Sequence, residues 1–285
     1  MRKAGIKQVR KWLSEVRGWL EPPGCETIHM ESPVHPRKMC CTVGIVHEHR
    51  FAFFYWALFA HDRYSRKSGY DFDPPVLVTV DYHDDIGGDC DFIADDLKSL
   101  DLTDRSELGL FCWCRLRRLN DGHVAPALYL NMFSDVYVLL KQNREGRRMY
   151  PEQATRTQRD RRGRDHTIRY FDRPVDLVRA LEADDRHVYL DIDLDYFTRE
   201  DEEGGGKLGD ERLVSRRSIK RLLSFDGRFI SCVFPRLVGF TIALEPQYCG
   251  GLAQSLEILD ILNEELFGRT LCTDDCRWKD YRVMH

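Results

Sequence analysis

The segment Val76-Leu-Val-Thr-Val-Asp81-Tyr-His83-Asp84-Asp85 constrains the fold more than any other stretch of the chain. Its apolar, β-branched run reads as a buried strand of a parallel sheet, covered on both faces. The run passes into Asp-x-His-x-Asp with no turn residue between, and the carboxyl ends of strands are where ligands bind in open α/β sheets. In extended backbone, Asp81, His83 and Asp85 project to the same side. Two carboxylates and an imidazole on one face are costly to desolvate unless a cation holds them. The alternative is an acidic turn open to water.

Three further strands end in the same chemistry. Residues 41–46 form an apolar run that leads into His47-Glu48-His49 and then a buried helical segment, 51–60. Residues 187–193 end in alternating acids, Asp191-Ile-Asp193-Leu-Asp195, and residues 240–244 end in Glu245-Pro246. Residues 136–140 read as a strand without acids. Apolar spacing predicts an amphipathic helix over 6–20, closed by Pro22-Pro23-Gly24, and others over 91–100, 124–132, 174–182, 215–223 and 252–266. This alternation implies one domain over residues 1–285: an α/β, doubly wound, mainly parallel sheet with helices on both faces. Between Gly24 and Cys41 a loop rich in Pro and His is expected, and 108–113 is a short apolar run. The Arg-rich stretch 143–169 has few apolar anchors and reads as a mobile loop, either a solvated charge run or a contact for an acidic partner such as a peptide leader. The acidic stretch 200–211 reads as a flexible loop.

Composition narrows the function. Of 285 residues, 42% are hydrophobic, enough for a full core, and a formal charge of -4 does not imply nucleic acid as a partner. No stretch approaches the roughly 18 apolar residues of a membrane span. The start, Met1-Arg-Lys-Ala-Gly-Ile-Lys, has no apolar signal core, so a cytoplasmic protein is expected. Ten cysteines are scattered without a Cys-x2-Cys pair, which favours reduced, mostly buried thiols over a zinc site or disulfides.

The strand ends bring together two imidazoles and four carboxylates before Glu245 is counted. That exceeds the three protein ligands of a typical catalytic zinc site and fits two divalent ions sharing carboxylates. Oxygen-rich ligation with some imidazole and no thiolate suits Mn²⁺.

Asp81-Tyr-His83-Asp-Asp85 followed by Asp191-Ile-Asp193 resembles the Asp-x-His-x-Asp and Asp-x-Asp signatures of the arginase (ureohydrolase) superfamily, and His49 resembles its first histidine ligand. The resemblance implies an arginase/deacetylase-like fold and two Mn²⁺ ions. One would be held by His49, Asp81, Asp85 and Asp191, the other by His83, Asp81, Asp191 and Asp193. It further implies that Glu245, in Leu244-Glu-Pro246, binds a guanidinium, for which a carboxylate offers paired charge-assisted hydrogen bonds. The Ser-Gly-Asn-type loop with which free-arginine arginases hold the amino acid's α-groups is replaced by Gly87-Gly-Asp-Cys-Asp-Phe-Ile-Ala94. Ile45-Val-His-Glu-His49, Asp191-Ile-Asp-Leu-Asp-Tyr-Phe197 and Leu244-Glu-Pro-Gln-Tyr-Cys-Gly-Gly251 are most similar to a divergent branch that includes peptide arginases. These convert arginine residues of ribosomally made peptides to ornithine, releasing urea. The implied catalytic residues are Asp85, orienting the attacking hydroxide, and Glu245, holding the substrate. His123 is a proton-shuttle candidate whose turn position makes an incidental role the simpler reading. The alternatives are a metal amidohydrolase acting on a small guanidino or acylated amine compound, and a non-catalytic, metal-stabilised peptide-binding protein.

Overall fold

The computed structural model describes residues 21–34, 40–65, 74–87, 93–141, 155–199 and 212–279. In chain order its strands are β1 (Glu26–Glu31), β2 (Cys40–Val46), β3 (Val76–Asp81), β4 (Val136–Leu140), β5 (Thr155–Arg159), β6 (Asp165–Phe171), β7 (Val188–Asp193), β8 (Thr198–Arg199), β9 (Arg212–Leu213) and β10 (Leu237–Ala243). Eight of them form one sheet in the order β1-β2-β10-β7-β3-β4-β6-β5, and β8 and β9 pair separately. The six inner strands run parallel, while β1 and β5 close the edges in antiparallel pairing. The apolar runs take the centre: every residue of β3, β4 and β7 is buried.

The helices are α1 (Ala52–Ser65), α2 (Ala94–Ser99), α3 (Arg105–Cys114), α4 (Val124–Tyr129), α5 (Pro174–Glu182), α6 (Arg216–Leu223), α7 (Arg228–Val233) and α8 (Leu252–Leu266). Strand alternation divides the core into two layers. Trp56, Leu97, Phe111 and Leu128 of α1–α4 pack with Leu77 and Val138 on one face. Leu177, Ile219, Ile230 and Ile261 of α5–α8 pack with Val78, Val80 and Ile192 on the other. Helix α1 lies directly on strand backbone: a Cβ at Gly44 would stand 2.5 Å from the Tyr55 ring, and one at Gly239 2.5 Å from the Phe59 ring.

Topology selects one point on this sheet. From β3 the chain crosses through α2–α4 to β4 and moves toward one edge; from β7, which neighbours β3, it crosses through α6 and α7 to β10 and moves toward the other. Adjacent strands whose connections leave on opposite faces open a crevice at their carboxyl ends. Asp81 and Asp193 terminate those two strands.

Four expectations change. The expected loop before Cys41 contains β1, paired along its whole length with β2. The run 108–113 lies in α3, capped by the Asp104 carboxylate accepting from the N–H groups of Ser106 and Glu107. From residue 155 onward the expected mobile loop 143–169 belongs instead to a β-hairpin, Thr155–Phe171. Its strand β6 buries His166, Ile168 and Tyr170 and leaves Asp165 and Arg169 exposed, so the charges occupy the outer face. Burial would push the Asp160 carboxyl up, but the N–H groups of Arg164 and Arg162 and the Arg164 guanidinium outweigh it and hold Asp160 down at about 2. None of the nine described cysteines is in a disulfide, but only Cys41, Cys112 and Cys249 are buried. The helix expected over 6–20, the acidic stretch 200–211 and residues 143–154 lie outside the described residues. No described helix is long and apolar enough to cross a membrane.

Candidate metal centre

The carboxyl ends of β2, β10, β7 and β3 stand side by side, and each contributes to one buried cluster. After β2 the chain makes a 3₁₀ turn, His49–Phe51, that enters α1. The β2–β10 pairing continues past both strands, with Leu244 N–H on Val46 O at 2.8 Å and Glu245 N–H on His47 O at 3.2 Å. This seats Glu245 beside His49, whose backbone N–H it accepts.

His49 is the hub. Its Nδ1 lies 2.7 Å from Asp85 Oδ2, 2.9 Å from Asp193 Oδ2 and 3.4 Å from Asp81 Oδ2. Its Nε2 lies 2.8 Å from Asp191 Oδ2. Asp191 is held from both sides: Thr79 Oγ1 donates to Oδ2 at 2.9 Å and Thr241 donates to Oδ1. Thr79, Asp191 and Thr241 are register partners on β3, β7 and β10, so they form one polar row across an otherwise apolar sheet. Trp56 Nε1, from α1, donates to Thr241 Oγ1 at 3.3 Å. The Asp191 contact places a proton on Nε2, and Nδ1 faces three carboxylate oxygens. Nδ1 and Asp81 Oδ2 have no directed hydrogen bond. A proton on Nδ1 could serve one of these oxygens; a cation serves all of them.

The extended reading of the two signatures fails at a definite place in each. Strand β3 stops at Asp81, and Asp85 has φ 48°, so the chain curls and only Asp81 and Asp85 reach His49. His83 turns outward, 42% exposed, with Nδ1 3.5 Å from Asp195 Oδ2. Beyond Asp193 the chain enters a 3₁₀ turn, Leu194–Phe197, in which Asp193 Oδ1 accepts from Asp195 N–H at 3.0 Å. That turn swings Asp195 back into the site. Three groups of donor atoms result among the described residues, each within 4.8 Å: His49, Asp81, Asp85 and Asp193; Asp81, His83 and Asp195; and His49, Asp85 and His123. Asp191, expected in both ligand sets, sits behind His49 instead, on Nε2, where an acid would orient a ligating imidazole. Asp195 lies outside the ligand sets that the resemblance implies, which take only Asp191 and Asp193 from this segment.

His123 is more than a turn residue. It is fully buried, stacked on Trp56 with centroids 5.3 Å apart and edge-on to His49 at 4.4 Å. Its Nδ1 lies 3.7 Å from Asp85 Oδ2, and neither ring nitrogen has a hydrogen-bond partner. The loop is fastened by Val124 N–H on Asp85 O and by backbone contact between Gly87 and Gly122, where a Cβ on either would meet a carbonyl oxygen of the opposite loop, Asp121 O or Gly87 O, at 2.5 or 2.4 Å. It also presents Asn120, whose Nδ2 donates to Glu245 Oε1 at 2.7 Å. Asp85, Asn120 and Glu245 all have positive φ, at 48°, 59° and 40°. Strained conformations of about 1–3 kcal/mol each cluster where function requires a fixed geometry.

Charge is the centre's main physical burden. Asp81, Asp85, Asp191, Asp193, Asp195 and Glu245 are all buried. Burial is the largest influence raising Asp81, Asp85 and Asp193, and neighbouring acids raise all three further. Burial likewise pushes Glu245 up to about 7. Burial pulls His49 down, but Asp191 and Asp193 more than reverse it. Burial and then the His49 charge hold His123 well below the usual imidazole range. Such a set of acids is stable together when cations neutralise it, and this cluster could hold a metal ion. No protein-family model matches the chain, and no curated protein or solved structure matches it either.

Proposed function

We propose that this protein is an arginase-like hydrolase that converts arginine residues within a peptide to ornithine and urea at two divalent ions, Mn²⁺ by donor type. The observation that carries the reading is the buried cluster at the β3–β7 crevice, where His49 Nδ1 and Asp81 Oδ2 have no directed hydrogen bond beside a buried glutamate. The donors fit the implied ions. His49, Asp81, Asp85 and Asp193 would hold one, and Asp81, His83 and Asp195 the other, with Asp81 shared. Oxygen ligands with one imidazole per group suit a hard divalent ion better than zinc or copper. When bound, the ions supply Lewis acidity that makes water nucleophilic at neutral pH and stabilises charge on the reacting carbon's substituents.

The chain's own residues divide the remaining work. Asp191, fixed by Thr79 and Thr241, keeps His49 Nδ1 directed into the cluster. Glu245 commits Oε1 to Asn120 and the His49 N–H, which leaves Oε2, near Gln247 Nε2 at 3.4 Å, for a guanidinium. The expected paired contact is therefore reduced to a single charge-assisted one. Asp85 would take the proton of the attacking water, and His123, whose Nδ1 lies 3.7 Å from Asp85 Oδ2, is the candidate relay to the departing nitrogen. His83, half exposed between Tyr82 and Tyr248, marks the entrance. Gly87 in place of an α-group clamp favours arginine inside a chain over the free amino acid.

The test is mass spectrometry and urea assay on arginine-containing peptides with Mn²⁺ present. The reading predicts urea and a loss of about 42 Da per modified arginine, as a guanidinium becomes a primary amine. No urea from any such peptide, with ions bound, would remove the hydrolase reading; urea from small guanidino compounds only would remove the peptide.

A further inference from the structure

A cavity of about 580 Å³ opens among α5, α6 and α7, on the sheet face opposite α1. Its floor is apolar: Val178, Phe197, Leu222 and Phe229. Its charged lining is cationic, with Lys141, Arg221 and Arg228 and no carboxylate among the described lining residues. On α6, Arg216 and Lys220 are each paired with Glu264, at 2.6 and 2.9 Å, whereas Arg221 makes no ion pair among the described residues. Arg228 is held by Glu182 at 2.7 Å. Lys141 donates to Tyr196 O at 2.6 Å.

The cavity shares a wall with the metal centre. Tyr196 and Phe197 follow Asp195 directly in the 3₁₀ turn, and the Lys141 backbone N–H bonds Asp81 O at 3.1 Å. A pocket of this size, apolar within and cationic at its rim, matches an apolar side chain next to a carboxylate.

We infer that this cavity is a docking subsite for an acidic, apolar segment of the peptide substrate, set apart from the arginine that is modified. The inference rests on the peptide reading of the metal centre. Its test is fluorescence anisotropy on the full chain with a labelled probe, Leu-Glu-Phe-Glu-Leu, which carries no arginine, and its uncharged counterpart Leu-Gln-Phe-Gln-Leu. The acidic probe should bind at least about tenfold tighter, with the preference shrinking as salt rises. Arg221→Glu should abolish the preference, and Val175→Trp, on the cavity's exposed lip, should block binding of both; neither residue belongs to the metal centre, so urea release from a short arginine peptide stays unchanged in each. Equal binding of the two probes, or binding unaffected by both substitutions, overturns the inference. So does displacement of neither probe when arginine peptides carrying the acidic segment are turned over. Probe binding without urea release would instead count against the arginine reading and leave the subsite standing.

Discussion

Asp191→Asn separates a ligand from a group that orients a ligand. The side chain is nearly isosteric, but it can offer one acceptor where Asp191 offers two. Oδ2 serves Thr79 and His49 Nε2, and Oδ1 serves Thr241. In the variant the amide oxygen can take over the Oδ2 contacts, and the NH₂ then faces Thr241 Oγ1, which already accepts from Trp56. Thr241 loses its acceptor, and His49 Nε2–H bonds a neutral oxygen in place of a carboxylate. Removing such a partner of a ligating histidine costs about 10–100-fold in metal affinity, or about 1.4–2.8 kcal/mol. Isothermal titration of the chelated protein with Mn²⁺ reads this directly. The geometry predicts unchanged stoichiometry with affinity weakened in that range. Loss of a whole ion per chain would make Asp191 a ligand, as the resemblance alone implied; affinity equal to wild type would show that the polar row does not orient His49.

Other consequences can be measured independently. Asp81→Asn alters the acid common to both donor groups and should lower the metal content at both, read by elemental analysis. Glu245→Gln preserves the Oε1 contacts but not the charge, so metal content should hold while urea release falls about 100-fold, in line with roughly 1.5–3 kcal/mol for a hydrogen bond to a charged group. In chelated protein, Glu245 keeps its proton up to about 7 when folded against an ordinary 4.5, so stability falls as pH rises between those values, on the order of 3 kcal/mol. Asp81, Asp85, Asp193 and His49 are shifted upward too and act in the same direction, while the lowered His123 opposes them below its ordinary 6.5. Urea denaturation at pH 5 and pH 7.5 checks the sign, and Mn²⁺ should abolish the difference. Gly44→Ala drives a Cβ to 2.5 Å from the Tyr55 ring and should cost about 1–3 kcal/mol of stability by displacing α1.

The strands that carry the centre were legible because their burial leaves an unambiguous apolar signature: β3, β4 and helices α5 and α8 fall where the pattern places them. Edge elements were not. In β1 and the 155–171 hairpin one face is polar, and a dense run of arginines obscured the alternation of His166, Ile168 and Tyr170. Within the site, residue types were readable and their directions were not. Alternation holds only while the backbone is extended, and beyond Asp81 and Asp193 the chain turns, which directs His83 outward and brings Asp195 toward it. The roles of His123 and Asn120 depend on Gly87 meeting Gly122, a contact between loops about 35 residues apart that no local pattern encodes.

Anomalous scattering from crystals grown with Mn²⁺ bears most directly on the two-ion centre. Two peaks are predicted, one among His49, Asp81, Asp85 and Asp193 and one among Asp81, His83 and Asp195, with Asp191 touching neither. A single peak, or none within this cluster, would contradict the account.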